Sequence, residues 1–147
     1  MSQTAVKQLS HQSVIDVQHL YEEIVYPGLD AKPNYHLVDR LRPYLGDGVK
    51  KRVLDAGCGT SHLLLGLALS FPGAEYAGVD LSAPSIAIAE ALFQKHGARA
   101  RFAVGDYAES LPFKESEFDL IVCNGTLFLH PDPIRALQNL TKYLADD

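Results

Sequence analysis

Residues Val53-Leu54-Asp55-Ala56 run directly into Gly57-Cys58-Gly59-Thr60-Ser61, and a strongly apolar helical stretch follows. An aliphatic run, a glycine turn and a helix in that order make the first half of a βαβ unit, with the turn at the carboxyl edge of a parallel sheet. Gly57 and Gly59 let the backbone approach a ligand where any Cβ would collide. The next apolar run delivers Asp80, 21 residues after Gly59, about where a second strand brings a carboxylate to ribose hydroxyls. The unit reads as a site for an adenosine-containing cofactor. A dinucleotide site would carry a third glycine for close helix–strand packing, and His62 stands in its place, which disfavours a pyrophosphate. On the glycine turn alone, a structural turn without any ligand stays open.

Strand and helix alternate from this point. Val53 to Ala56 is a short buried strand; Ser61 to Phe71 is an apolar helix with Thr60 or Ser61 as N-cap and Pro72-Gly73 as its stop. Glu75 to Leu81 is the second strand, and Ser82 caps a helix that has Pro84 in its first turn and Gly97 at its end. Ala100 to Val104 and Phe118 to Cys123 supply two further strands. A last helix follows Pro131, with Ile134, Leu137, Leu140 and Tyr143/Leu144 on one face. Such alternation implies right-handed crossovers and a parallel sheet covered on both faces, an α/β fold.

The stretch ahead of the strands has another character, and residues 1–50 read as a helical cap or lid before a core at 51–147. Ser13 to Val25 places apolar side chains at helical spacing and stops at Pro27-Gly28. A second helix around Leu37 to Leu45 ends at Gly46-Asp47-Gly48, with Pro43 shortening or kinking it.

A length of 147 residues suits one domain, and 47% hydrophobic with 21% charged content is that of an ordinary soluble globular protein. The net charge of −5 argues against a nucleic-acid backbone as partner, because phosphates call for clustered Lys and Arg. Lys50-Lys51-Arg52 and Arg99/Arg101 each flank a strand start and suit solvated strand ends. Neither a membrane-length apolar run nor a secretory leader is present, so the expected location is cytoplasmic, with no membrane partner. Cys58 and Cys123 are too few for a zinc framework, no metal is expected, and each is most simply a small buried residue.

Four segments together carry a family resemblance over roughly residues 35 to 145. Val53 to Ser61 resembles the first motif of class I S-adenosylmethionine-dependent methyltransferases, an apolar pair and an acid before Gly-x-Gly. Gly78-Val79-Asp80-Leu81-Ser82 is similar to the second. Gly105-Asp106-Tyr107-Ala108-Glu109, followed by Leu111-Pro112-Phe113, resembles the third, and Phe118 to Asn124, followed by Leu129-His130, the fourth. The resemblance implies a Rossmann-like three-layer sandwich with strand order 3-2-1-4. The family's sheet has seven strands, and four are legible here, so the chain looks truncated before the last three. Strand four would then be an exposed edge open to self-association.

The same resemblance implies S-adenosylmethionine as cofactor and a role for each matching residue. Asp55 would lie near the cofactor's ammonium group, or instead brace the glycine turn. Gly57 and Gly59 would lie against the methionine and ribose part, Asp80 would take the ribose hydroxyls, and Leu81 would wall one adenine face. Asp106 would accept from the adenine amino group, and the Tyr107 N–H would donate to the ring. Asn124 would reach the methionine end or the methyl acceptor. His130 is either a general base or a cap for the final helix. His62 reads as packed or solvated, and Tyr21, Tyr26 and Tyr35 as amphipathic packing or part of a lid. The implied activity is methyl transfer to a small-molecule acceptor. The alternatives are a cofactor-binding module without catalysis and, with less support, a protein methyltransferase or a nicotinamide-dependent oxidoreductase.

Overall fold

The computed structural model describes residues 19–20, 23–24, 32–46 and 50–146. The helix expected over Ser13 to Val25 lies outside them except for its short described pieces, as do Tyr21 and Tyr26. The elements are α1 (Tyr35–Leu45), β1 (Arg52–Ala56), α2 (His62–Ser70), β2 (Glu75–Asp80), α3 (Ala83–Lys95), β3 (Arg101–Val104), β4 (Leu120–Val122), a 3-10 turn (Leu127–Leu129) and α4 (Pro133–Thr141). The four strands form one sheet in the order β3-β2-β1-β4, all pairs parallel, as the resemblance implied.

The pleat sends alternate residues to opposite faces and so builds two cores. Val53 and Tyr76 face a layer made with Val38, Leu45, Leu64, Leu67 and Phe93 from α1, α2 and α3. Leu54, Ala56, Ala77 and Val79 face the other way, onto Tyr107, Phe118, Leu140 and Tyr143. Gly66 matters here, since a Cβ at that position would stand 3.0 Å from Val38 Cγ2. Its absence lets α1 pack closely on α2.

Local chemistry sets the helix boundaries. Ser82 Oγ accepts from Ser85 N at 3.2 Å and Asn34 Oδ1 accepts from Leu37 N at 3.2 Å, so α3 and α1 each start on a capped N–H. Ser61 occupies the N-cap position of α2, but in the left-handed region with no capping bond from its side chain. Pro43 neither stops nor shortens α1, which carries it within its last turn.

Two expectations about the C-terminal part are corrected. Ile134, Leu137 and Leu144 do not join Leu140 in the core: all three are exposed, and α4 buries Ala136, Asn139 and Leu140 instead. A polar residue fits there because Asn139 Nδ2 donates to Tyr107 O at 2.9 Å and also to Glu109 O. Strand four is shorter than Phe118 to Cys123, and its entry is not a bare edge. Phe118 bridges in parallel to Leu144, with Phe118 N bonded to Tyr143 O at 2.8 Å and Ala145 N to Phe118 O at 2.7 Å. Beyond that bridge, Leu120–Val122 pair with β1 alone among the described residues.

Candidate functional site

The first glycine turn is held by the end of β2. Val79 O accepts from Gly57 N at 2.8 Å and from Cys58 N at 3.0 Å. Asp80 continues the clamp, accepting from Gly59 N at Oδ2 (2.8 Å) and from Ser82 N at Oδ1 (2.9 Å). One carboxylate therefore fixes the turn after β1 and the turn after β2 together. The bracing acid is Asp80, and none of these turn N–H groups goes to Asp55.

Gly57 and Gly59 adopt φ of +77° and +52°, where side chains are rarely found. The group that presses on Gly57 is part of the protein: a Cβ there would lie 2.5 Å from Thr126 Oγ1. Thr126, from the loop after β4, donates to Ala56 O at 3.2 Å and meets Cys123 Sγ at 3.2 Å. On the side where a Cβ would stand, Gly57 is therefore met by Thr126, while the residue still lines the cavity described below. Ser61, at φ +66°, holds the left-handed conformation without being glycine, at a cost of about 1–2 kcal/mol.

Asp55, Gly57, Gly59, Asp80 and Asn124 line a single cavity of about 690 Å³. Asp55 is buried, and burial, with the Asp80 carboxylate nearby, pushes its pKa up to about 7. Burial also raises the pKa of Asp80, against the opposing pull of the Ser82 and Gly59 N–H groups. Ser85 Oγ, on the same wall, is fully buried with no hydrogen-bond partner among the described residues. Burial likewise raises both cysteine thiols, which are free and not disulfide-bonded.

Several lining residues escape sequence reasoning, among them Lys32, Asn34, Ser85, Thr126 and Phe128. Lys32 and Asn34 precede α1 and reach the cavity only through tertiary packing, so their local sequence carries no sign of it. Thr126 has no local signal either, because the positive φ of Gly57 accounts for that glycine without any neighbour. His62 is buried, with Nδ1 2.9 Å from Thr60 Oγ1, and also lines the cavity.

Leu81, Asp106, Tyr107 and His130 are not on this wall. They sit at the same carboxyl edge: Leu81 follows β2, and Gly105 N bonds to Asp80 O at 2.9 Å, bringing the loop after β3 alongside. Asp106 Oδ1 accepts from Ala108 N at 2.8 Å and faces His130 Nε2 at 3.4 Å. The Tyr107 and His130 rings lie 5.7 Å apart, tilted by 45°. His130 does not cap the final helix; Asp132 does, accepting from Arg135 N at 3.0 Å. The Nδ1 lone pair of His130 accepts from Asp132 N at 3.0 Å.

The donor set suits a polar cationic ligand with hydroxyls. A buried carboxyl whose pKa burial raises to about 7, a second carboxylate beside it and a buried serine hydroxyl can all accept from a ligand's donors. A bound S-adenosylmethionine carries an ammonium, a sulfonium and two ribose hydroxyls, and the residues present fit it. Among the described residues no cluster of metal-ligating side chains occurs, and no helix is long and apolar enough to cross a membrane.

Comparison with known proteins agrees with this chemistry. A family model described as a methyltransferase domain matches residues 47–147. The demethylmenaquinone methyltransferase of Thermus thermophilus is 32% identical over 129 residues, 79% of this chain and 58% of that protein. The release factor glutamine methyltransferase of Bordetella pertussis is 41% identical over 88 residues, 60% of this chain and 32% of that protein. The chain thus spans about a third and somewhat over half of these two relatives. Among solved structures, the YcgJ protein of Bacillus subtilis matches with TM-score 0.68 and 28% identity over 78% of this chain and 48% of its own. The magnesium protoporphyrin IX methyltransferase of Synechocystis, with S-adenosylmethionine bound, shares the fold at TM-score 0.72 and 22% identity, over 91% of this chain and 72% of its own. S-adenosylmethionine is the family's cofactor. With its sheet in the order β3-β2-β1-β4 and the methyltransferase model matched from residue 47 onward, this chain belongs to the class I S-adenosylmethionine-dependent methyltransferases.

Proposed function

We propose that this chain forms the cofactor-binding half of a methyltransferase that acts on a small-molecule acceptor. The observation that carries the reading is the placement of Asp80, whose carboxylate ties two turns together at the wall of a cavity that Asp55 also lines. Asp80 would take the ribose hydroxyls, Asp55 the ammonium group, and Gly59 would leave room for the backbone to approach. Leu81 would lie on the adenine, Asp106 would accept from its amino group, and the Tyr107 N–H would face the ring. The cofactor, when bound, supplies an activated methyl group. The chain's own task is to hold that group in line with the acceptor and keep water away.

Two observations favour a small apolar acceptor. The quinone-modifying relative aligns over 129 residues and the protein-modifying one over 88. Phe128 and Leu129 line the cavity, and Phe128 is 78% exposed there, a surface suited to an apolar ring. Asn124 would orient the acceptor or the methionine end. A second reading is a cofactor-binding module without turnover. Pairing of two copies along β4 would suit either reading.

Titration calorimetry tests the core of this proposal. Binding of S-adenosylhomocysteine that is lost in Asp80→Ala is the expected result, and binding of NAD alone would overturn it. A panel of hydroquinones, phenols and a glutamine peptide, followed by methyl transfer, then separates the acceptor classes. No transfer to any of them by a chain that binds cofactor favours the module.

A further inference from the structure

We propose that His130 is a positioning residue that holds Asp106 for the adenine amino group and so sets the selectivity of the site for adenine. The inference rests on the cofactor reading above. The side chain of His130 is 7% exposed, and it does not line the cavity where transfer would take place. Its two nitrogens have distinct neighbours. Nδ1 accepts from the main-chain N–H of Asp132 at 3.0 Å. A main-chain N–H can only donate, so Nδ1 carries a bare lone pair and the proton of the neutral ring sits on Nε2.

That Nε2–H is buried without a hydrogen-bond partner among the described residues, and 3.4 Å away lies Oδ1 of Asp106. A buried N–H beside a carboxylate is drawn toward it, since leaving it unmade is costly. Oδ1 is already anchored by Ala108 N at 2.8 Å. Ala108 thus anchors this oxygen by a hydrogen bond, and the His130 Nε2–H adds an electrostatic contact to the same atom at 3.4 Å. Oδ2 receives no hydrogen bond from any described residue, which leaves it directed by the rest of the group and available to an outside donor. The Tyr107 ring lies against the imidazole, with centroids 5.7 Å apart.

A residue that aims an acceptor affects ligands that bring a donor and spares those that do not. The test compares S-adenosylhomocysteine with S-inosylhomocysteine, in which an oxo group replaces the adenine amino group, by calorimetry on the wild type, His130→Leu and His130→Gln. His130→Leu is expected to weaken S-adenosylhomocysteine about tenfold and to change S-inosylhomocysteine less than about twofold. His130→Gln, which keeps a donor near the Nε2 position, restores most of the preference. Equal loss of both ligands, or no loss, overturns the proposal. Failure of the wild type to bind S-adenosylhomocysteine overturns the cofactor reading itself, and this inference with it. Should His130→Leu not fold, the wild type still decides: ¹⁵N spectra of its imidazoles at neutral pH must contain a bare Nδ1 and a protonated Nε2 at His130, and the opposite tautomer sinks the idea.

Discussion

At the β1–β2 end of the sheet, Val53, Leu54, Ala77 and Val79 are completely buried, and the turns that follow are tied by main-chain bonds to Val79 O and by the carboxylate of Asp80. At the β4 end, Leu120, Ile121 and Val122 are all half-buried, the next loop holds Gly125 with nothing near its Cβ position, and Phe128 stands out in solvent. The contrast separates two jobs. The first region fixes its own turns through the backbone and one carboxylate, as a site for a constant ligand would require. The second offers side chains on a loose frame, and loops of that kind tolerate change.

The largest effect expected from this contrast is at Asp80. Asp80→Ala leaves the Gly59 and Ser82 N–H groups without their acceptor and should lower S-adenosylhomocysteine affinity by at least about a hundredfold, measured by calorimetry. A loss under tenfold would mean that the clamp is not the binding element.

Glycine substitutions probe the two ends directly. Gly57→Ala meets Thr126 at 2.5 Å and a positive φ, so chemical denaturation should find it destabilised by about 3 kcal/mol. Gly125→Ala, also at positive φ but with open space, should lose only about 1 kcal/mol. Equal losses would erase the distinction between the ends.

Asp55 gives the pH dependence. Its pKa rises from 3.8 to about 7 in the fold. Below pH 4 both states are protonated; between pH 4 and 7 the unfolded chain ionises while the fold keeps its proton. Stability therefore falls as pH rises across that window and levels off above it. Asp55→Asn should flatten this slope and stabilise the ligand-free protein at pH 8 by up to a few kcal/mol in denaturant melts. An ammonium group favours the ionised carboxylate, so S-adenosylhomocysteine binding should release a proton and tighten by up to about tenfold in all between pH 6 and 8, levelling off above pH 7. Asp55→Asn should bind more weakly with no such rise.

Smaller effects belong to the margins. Phe128→Ala should leave cofactor affinity within about twofold while lowering turnover of the acceptor several-fold. Ser61→Gly should raise the melting temperature slightly, by relieving about 1 kcal/mol of strain.

The α/β class and the order of strands were open to sequence reasoning because the glycine turn, the capped helix at Ser82 and the acid ending β2 are local signals. Asp55, Gly59, Asp80 and Asn124 were legible for the same reason, since strand ends in a parallel sheet converge at one edge. The tertiary neighbours were not. Ile134 and Leu137 follow a helical period as well as Ala136 and Leu140 do, and periodicity alone cannot foresee that Asn139 would find two carbonyls in the core. Nor does anything local in Lys32 or Asn34 tell of a cavity more than twenty residues away in the chain.

Asn139 has a mechanical consequence. By gripping the carbonyls of Tyr107 and Glu109, while the Tyr143 hydroxyl receives Leu111 N, it hooks α4 to the loop that bears Asp106. Prising α4 away would therefore break those bonds and untether the loop that bears Asp106.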